Sequence, residues 1–166
     1  MRFLHLNETA EWCRDHGMVI AEDHFDLLPD DRLSHASRIL YAPDGPVGRE
    51  AEVVETCIAM LGTWDECLLW PTDWDIWEAS EDWPRYYGAR GARGERASLS
   101  VKPGHLFTSS ELPDLRGFFA MVIEAGWDAH VLPASGTIIE RRLWNSHDGW
   151  IDFHSSFPEF LRELAV

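Results

Sequence analysis

Three amphipathic segments of the chain each end at a glycine that is followed by an apolar stretch, and this repetition constrains the fold more than any other feature. Glycine adopts the left-handed conformation that ends many helices, and apolar runs of about 4–8 residues are typical of buried strands. The glycines are Gly17, Gly62 and Gly126, and the stretches that follow them are residues 18–21, 67–70 and 127–132. The chain is therefore predicted to alternate helices with buried strands.

The helices themselves are predicted from the spacing of apolar residues and from the first turns. Asn7 is predicted to cap the first helix, with Glu8 near the positive end of its dipole. The second helix carries apolar residues at alternating intervals of four and three between residues 47 and 61, which form one buried stripe. The third begins after residues 108–110, and a short fourth helix is predicted over residues 156–164.

Turn signals in the C-terminal half predict antiparallel neighbours. The four-residue turn Pro133-Ala134-Ser135-Gly136 separates residues 127–132 from residues 137–144, which predicts a hairpin. A second turn at residues 146–149 leads into another apolar stretch at residues 150–153. Because consecutive strands disfavour a purely parallel doubly wound sheet, we predict an α+β fold with a mixed or mainly antiparallel sheet. About four helices cover this sheet in a single domain over all 166 residues.

Residues 71–96 interrupt this pattern with a Trp- and Gly-rich section of poor periodicity. The section is predicted to be irregular. A stretch of that length without secondary structure is uncommon in a compact domain unless it has a function or is mobile.

The distribution of charge excludes some classes of partner. The formal net charge is −15, and no Lys or Arg occurs between Arg49 and Arg85. The ten acidic residues of this interval are Glu50, Glu52, Glu55, Asp65, Glu66, Asp73, Asp75, Glu78, Glu81 and Asp82. Such a field repels nucleic acid and anionic lipid and attracts a basic protein, so we expect neither nucleic-acid nor membrane binding. The alternative is that the acidic surface only keeps the protein soluble.

Tryptophan is concentrated in the same region, where five of the nine tryptophans lie between Trp64 and Trp83. Indole rings interleaved with carboxylates are typical of surfaces that bind cations or arginine, and tryptophan is enriched at interface hot spots. The predicted partner-binding residues are Asp73, Trp74, Asp75, Trp77, Glu78 and Trp83. The alternative is that these rings anchor an irregular segment on the sheet.

A repeated Asp-x-His pattern provides a second candidate site. Alternation along a strand places Asp128 and His130 on one face, and likewise Asp152 and His154. If the two strands were neighbours in suitable register, two carboxylates and two imidazoles would converge, a ligand set that suits zinc or another divalent metal. The alternative is that these residues are only the outward-facing half of the two strands.

Other chemistry is not indicated. The sequence contains none of the motifs of phosphate loops, dinucleotide sites, serine hydrolases or zinc proteases. No cofactor is therefore expected, and the absence of these motifs favours a protein that is not an enzyme.

Cys13, Cys57 and Cys67 cannot all pair with one another and form no Cys-x-x-Cys, which favours free thiols in a reducing cytoplasm. No apolar run is long enough to cross a bilayer.

Several short motifs resemble a pattern found in small bacterial proteins without an established activity. The motifs are Gly-His-Leu-Phe at 104–107, Glu111, Asp-Leu at 114–115, Gly-Trp-Asp-Ala-His at 126–130 and Ser-His-Asp-Gly-Trp at 146–150. This resemblance implies no catalytic residue. In composition, the chain is also similar to the acidic immunity proteins that neutralise bacterial toxins, and that similarity implies a protein partner.

The sequence therefore predicts a cytoplasmic protein-binding module, of immunity-like or regulatory type, that uses the acidic, Trp-rich residues named above. The alternative is a metal-binding protein or metal-dependent enzyme built on the two Asp-x-His pairs.

Overall fold

A seven-stranded antiparallel sheet lies at the centre of the computed structural model, which describes residues 1–21, 23, 26–41, 49–72, 83–95 and 102–157. In chain order the strands are β1 (Arg2–Leu4), β2 (Ile20–Ala21), β3 (Asp26–Leu27), β4 (His35–Leu40), β5 (Glu66–Pro71), β6 (Gly104–Thr108), β7 (Ala129–Ala134), β8 (Arg141–Ser146) and β9 (Trp150–Ser155). The large sheet has the order β1-β6-β5-β7-β8-β9-β4, and β2 and β3 form a separate hairpin. Every pairing in the large sheet is antiparallel.

The described helices cover the two faces of this sheet unequally. They are α1 (Leu6–Asp15), α2 (Arg49–Leu61), α3 (Trp83–Ala92) and α4 (Leu112–Glu124), with short 3₁₀ turns at Asp31–Leu33 and Ser109–Glu111. The predicted α+β class, the mainly antiparallel sheet and the helical cover are confirmed. None of the helices in the described part of the chain is long and apolar enough to cross a membrane.

The helix ends follow the predicted glycines but not the predicted cap. Gly17, Gly62 and Gly126 all have positive φ angles, of 74°, 69° and 64°, as helix-ending glycines require. The N-cap of α1 is His5 and not Asn7, because the Glu8 carboxylate accepts a hydrogen bond from the His5 backbone N–H at 2.7 Å and closes a capping box.

The first face of the sheet, which we call the dry face, packs against α2, α3 and α4. Its core combines sheet residues such as Leu69, Phe107 and Phe153 with the apolar stripes of α2 and α4. Leu115 and Phe119 on α4 are completely buried. Burial on this scale is the main source of stability in a domain of this size.

On the opposite face, which we call the second face, the described residues that pack against the sheet lie over its β1-β6-β5-β7 half. There α1 and the β2–β3 hairpin enclose a smaller core that includes Trp12, Leu68, Trp70 and Leu132. Strand β7 is therefore buried on both faces.

Three strands of the sheet were not predicted, namely β1, β4 and β6. Only Ile20–Ala21 of the predicted strand 18–21 is extended, and it pairs with β3 outside the large sheet. Within the section predicted to be irregular, residues 83–92 form α3, where Pro84 occupies the first turn and Tyr86 and Arg90 form the buried side. The predicted C-terminal helix at 156–164 lies almost entirely outside the described residues.

Candidate functional site

Several polar side chains of the described residues lie on the second face, next to the part that α1 and the β2–β3 hairpin cover. The strand register places one row of side chains across five strands of this face. The row runs Arg38, Asp152, Trp144, His130 and Trp70. An adjacent row contains His154 and Arg142, which are paired on β9 and β8. Sheet faces with this mixture of charge and aromatic rings are typical of binding surfaces.

The two Asp-x-His pairs do not meet on this face. Strand β8 lies between β7 and β9, so the two strands are roughly 10 Å apart, and Trp144 separates His130 from Asp152. Asp128 lies before β7, and its Oδ1 accepts hydrogen bonds from the backbone N–H of His147 at 2.7 Å and from its Nδ1 at 3.0 Å. Among the residues that the structure describes, no three His, Cys, Asp or Glu side chains are grouped closely enough to hold a metal.

His130 is instead paired with Asp26 of the β2–β3 hairpin, a residue that the sequence did not single out. The two are joined by a hydrogen bond of 2.8 Å between Nε2 and Oδ1, and His130 is only 5% exposed. Burial lowers the pKa of His130 below its usual value despite the adjacent carboxylate. Burial alone would raise the pKa of Asp26, but the hydrogen bond from His130 opposes this, and the pKa lies below its usual value. The neutral imidazole donates Nε2–H to Asp26, so its buried Nδ1 remains an acceptor without a partner.

Arg142 lies beside this pair as a buried cation. It is 8% exposed, and its Nε makes no hydrogen bond. Burial lowers the pKa of Arg142, while the carboxylates of Asp30, Asp26 and Asp152 oppose that shift. Each of these carboxylates already has a closer hydrogen-bonding or ion-pair partner. Arg142 therefore stabilises the three carboxylates through its charge. This charged cluster attaches the 26–33 segment to the sheet.

An aromatic patch lies beyond the cluster at the outer edge of the second face. Leu40 is 73% exposed and is paired in register with Trp150, whose ring packs edge-on against Trp144 at 4.7 Å between centroids. The Arg38 guanidinium stacks on Trp150 at 3.7 Å and donates hydrogen bonds of 2.6 and 2.9 Å to the two oxygens of Asp152. We call Arg38, Leu40, Trp144, Trp150 and Asp152 the edge patch.

The predicted partner-binding residues Asp73, Trp74, Asp75, Trp77 and Glu78 lie outside the described residues. Trp83 is the first residue of α3, and its side chain also lies outside the described part of the structure. Thr72 follows β5 and donates its backbone N–H to the Asp128 carbonyl at 2.8 Å. The strand register places this end of β5 at the same end of the sheet as Leu40 and Trp150.

The titratable groups of the dry face are enclosed in the core. His105 is fully buried, and its Nε2 hydrogen-bonds to the Tyr86 hydroxyl at 2.8 Å. Burial lowers the pKa of His105 to about 3 and raises that of Tyr86. The neutral pair therefore contributes to the packing of the core, although His105 belongs to the Gly-His-Leu-Phe motif at residues 104–107.

The three cysteines are free and buried, in agreement with the sequence prediction of free thiols. Burial raises the pKa of both Cys13 and Cys57 to about 12 and that of Cys67 as well. Thiols in this state are poor nucleophiles at neutral pH, because the thiolate is the reactive form.

The described residues thus define an antiparallel α+β protein whose sheet is dry on one face and partly open, charged and aromatic on the other. No family model, curated protein or solved structure matches the chain. Function is therefore inferred from the charge and geometry of this chain alone.

Proposed function

We propose that the protein is a binding module for a basic protein partner, of immunity-like or regulatory type, with residues 73–83 as its main contact segment. The observation that carries this proposal is the interval between Arg49 and Arg85, which holds ten acidic residues and no basic one. Single-sign charge of this density steers the encounter with a partner of opposite charge.

Three described acids of this interval support the proposal because their side chains are exposed to solvent. Glu52 and Glu55 lie on the exposed side of α2, and Asp65 is exposed just before β5. Glu55 has one basic partner, Arg116 on α4, at 2.9 Å. The charge of Glu52 and Asp65 therefore extends into solvent.

The position at which the contact segment begins also supports the proposal. Residue 73 follows directly on Thr72, at the end of the sheet where Trp150 and Leu40 lie. Strands β5 and β9 are three positions apart in the sheet, which corresponds to roughly 15 Å. A partner of ordinary interface size covers a surface wider than this, so it can contact Thr72 and the edge patch together.

A salt-dependent capture experiment tests the proposal. The immobilised protein is exposed to bacterial lysate at low and high salt, beside a variant that combines Asp73→Asn, Asp75→Asn and Glu78→Gln. We expect one basic protein to be retained at low salt, released at high salt, and retained much less by the variant. The retained protein is then purified and its affinity measured directly.

A matched variant controls for total charge. Glu11→Gln, Asp15→Asn and Glu140→Gln together also remove three negative charges, at positions that are exposed and outside the contact segment. We expect this variant to keep most of the binding. Retention of no basic protein, or equal losses in both variants, would contradict the proposal.

A further inference from the structure

We infer that Trp150 and Asp152 form a guanidinium-binding site, in which Arg38 occupies the place that an arginine of the basic partner takes on binding. The inference rests on the proposed function and identifies the side-chain chemistry that the partner presents. It concerns the edge patch, all of whose residues are described, and not the 73–83 segment.

The contacts of Arg38 show what this site recognises. One wall is the face of the Trp150 indole, 3.7 Å from the guanidinium carbon. The other is the Asp152 carboxylate, whose two oxygens accept separate hydrogen bonds of 2.6 and 2.9 Å from Nε and one Nη. Stacking combined with a two-pronged hydrogen bond suits the planar guanidinium and not the ammonium of lysine.

The exposure of these groups indicates that Arg38 can be displaced. The Arg38 side chain is 51% exposed, whereas that of Asp152 is 18% exposed. The groups that form the site therefore belong to the body of the sheet, and the Arg38 guanidinium lies on the outside of the sheet. An exposed ion pair of this kind contributes little to stability, so exchanging it for an equivalent pair with a partner costs little.

The surroundings favour an arginine that belongs to a protein. Leu40, 73% exposed, is paired in register with Trp150 and offers an apolar contact beside the guanidinium site. The net charge of −15 raises the local concentration of a basic partner. An arginine flanked by an apolar side chain complements both features.

Labelled oligoarginine and oligolysine of equal length provide a direct test, with fluorescence anisotropy as the readout. Arg38→Ala empties the guanidinium site, whereas Arg14→Ala removes the same charge from the exposed side of α1. Both variants lose one positive charge and should bind both peptides somewhat more tightly. Only Arg38→Ala should also raise the preference for oligoarginine over oligolysine, by about two- to fivefold.

A second substitution confirms which groups form the site. In the Arg38→Ala background, Asp152→Asn should abolish the gained arginine preference while the thermal melting curve stays cooperative.

Equal oligoarginine preference in Arg38→Ala and Arg14→Ala would overturn the inference. If the lysate experiment finds a partner whose binding Arg38→Ala and Asp152→Asn leave unchanged, the inference fails and the proposed function stands. If the arginine preference appears and no partner is captured, the guanidinium site stands and the proposed function fails.

Discussion

The two faces of the sheet use the same alternation of residues for different purposes. On the dry face, the odd-numbered residues of β7 and β9 pack against the helices, and His105 is neutral. On the second face, the even-numbered residues place a buried arginine, two histidines and two tryptophans where the cover ends. From this contrast we expect stability to depend mainly on the dry face, and we propose the second face as the surface for recognition.

The largest effect is expected from a truncation on the dry face. Phe119→Ala removes a completely buried ring of α4 and should lower the free energy of unfolding by about 3–5 kcal/mol. Denaturant unfolding measures this, with the exposed Leu40→Ala on the second face as the control, for which the change should stay within about 0.5 kcal/mol. Comparable losses for both variants would remove the distinction between the faces.

Acid should destabilise the protein through two buried histidines and one half-buried histidine. The pKa values of His105, His130 and His154 are all lowered in the folded protein. The unfolded chain therefore takes up protons first as the pH falls below about 6.5, and folding stability decreases with decreasing pH. His105, whose folded pKa is about 3, should contribute a slope of up to about 1.4 kcal/mol per pH unit between pH 6.5 and 3.

Histidine NMR titration together with pH-dependent denaturation tests this assignment. The His105 imidazole should remain neutral until close to pH 3. A His105 midpoint near pH 6.5 would contradict the enclosure of the dry face.

A smaller effect is expected from Arg38→Ala on the second face. Its side chain is half exposed, so loss of the pair with Asp152 should shift the melting temperature much less than Phe119→Ala does. Differential scanning calorimetry of the two variants compares them. A large loss in Arg38→Ala would mean that the edge patch is structural, and it would weaken the case that Arg38 is exchangeable.

Metal should have the smallest effect. Because β8 separates Asp128 and His130 from Asp152 and His154, neither chelator nor added zinc should shift the melting temperature of protein purified without a histidine tag. A clear zinc-dependent rise, together with stoichiometric metal by elemental analysis, would restore the alternative hypothesis.

Local signals in the sequence were sufficient for α1, α2 and α4 and for the C-terminal strands, but not for α3. The helix-ending glycines and the inward positions Ala129, Val131, Ile151 and Phe153 all have the predicted roles. The predicted turn at residues 146–149 also joins β8 to β9.

Contacts between distant parts of the chain could not be predicted in the same way. Asp26 meets His130 across 104 residues, and Arg38 meets Asp152 across 114. Strand β4 is an edge strand whose polar and apolar residues alternate only weakly, so its place in the sheet depends on β9. A single sequence carries no local signal for such pairings.

The most direct test of the account is an NMR titration of the tryptophan indole N–H signals with oligoarginine. If the second face is the recognition surface, the indoles of Trp144 and Trp150 should shift in a saturable manner, while those of Trp64 and Trp127, buried on the dry face, should not. Equal shifts on both faces, or no shift at Trp150, would contradict the division of the sheet into a stabilising face and a recognition face.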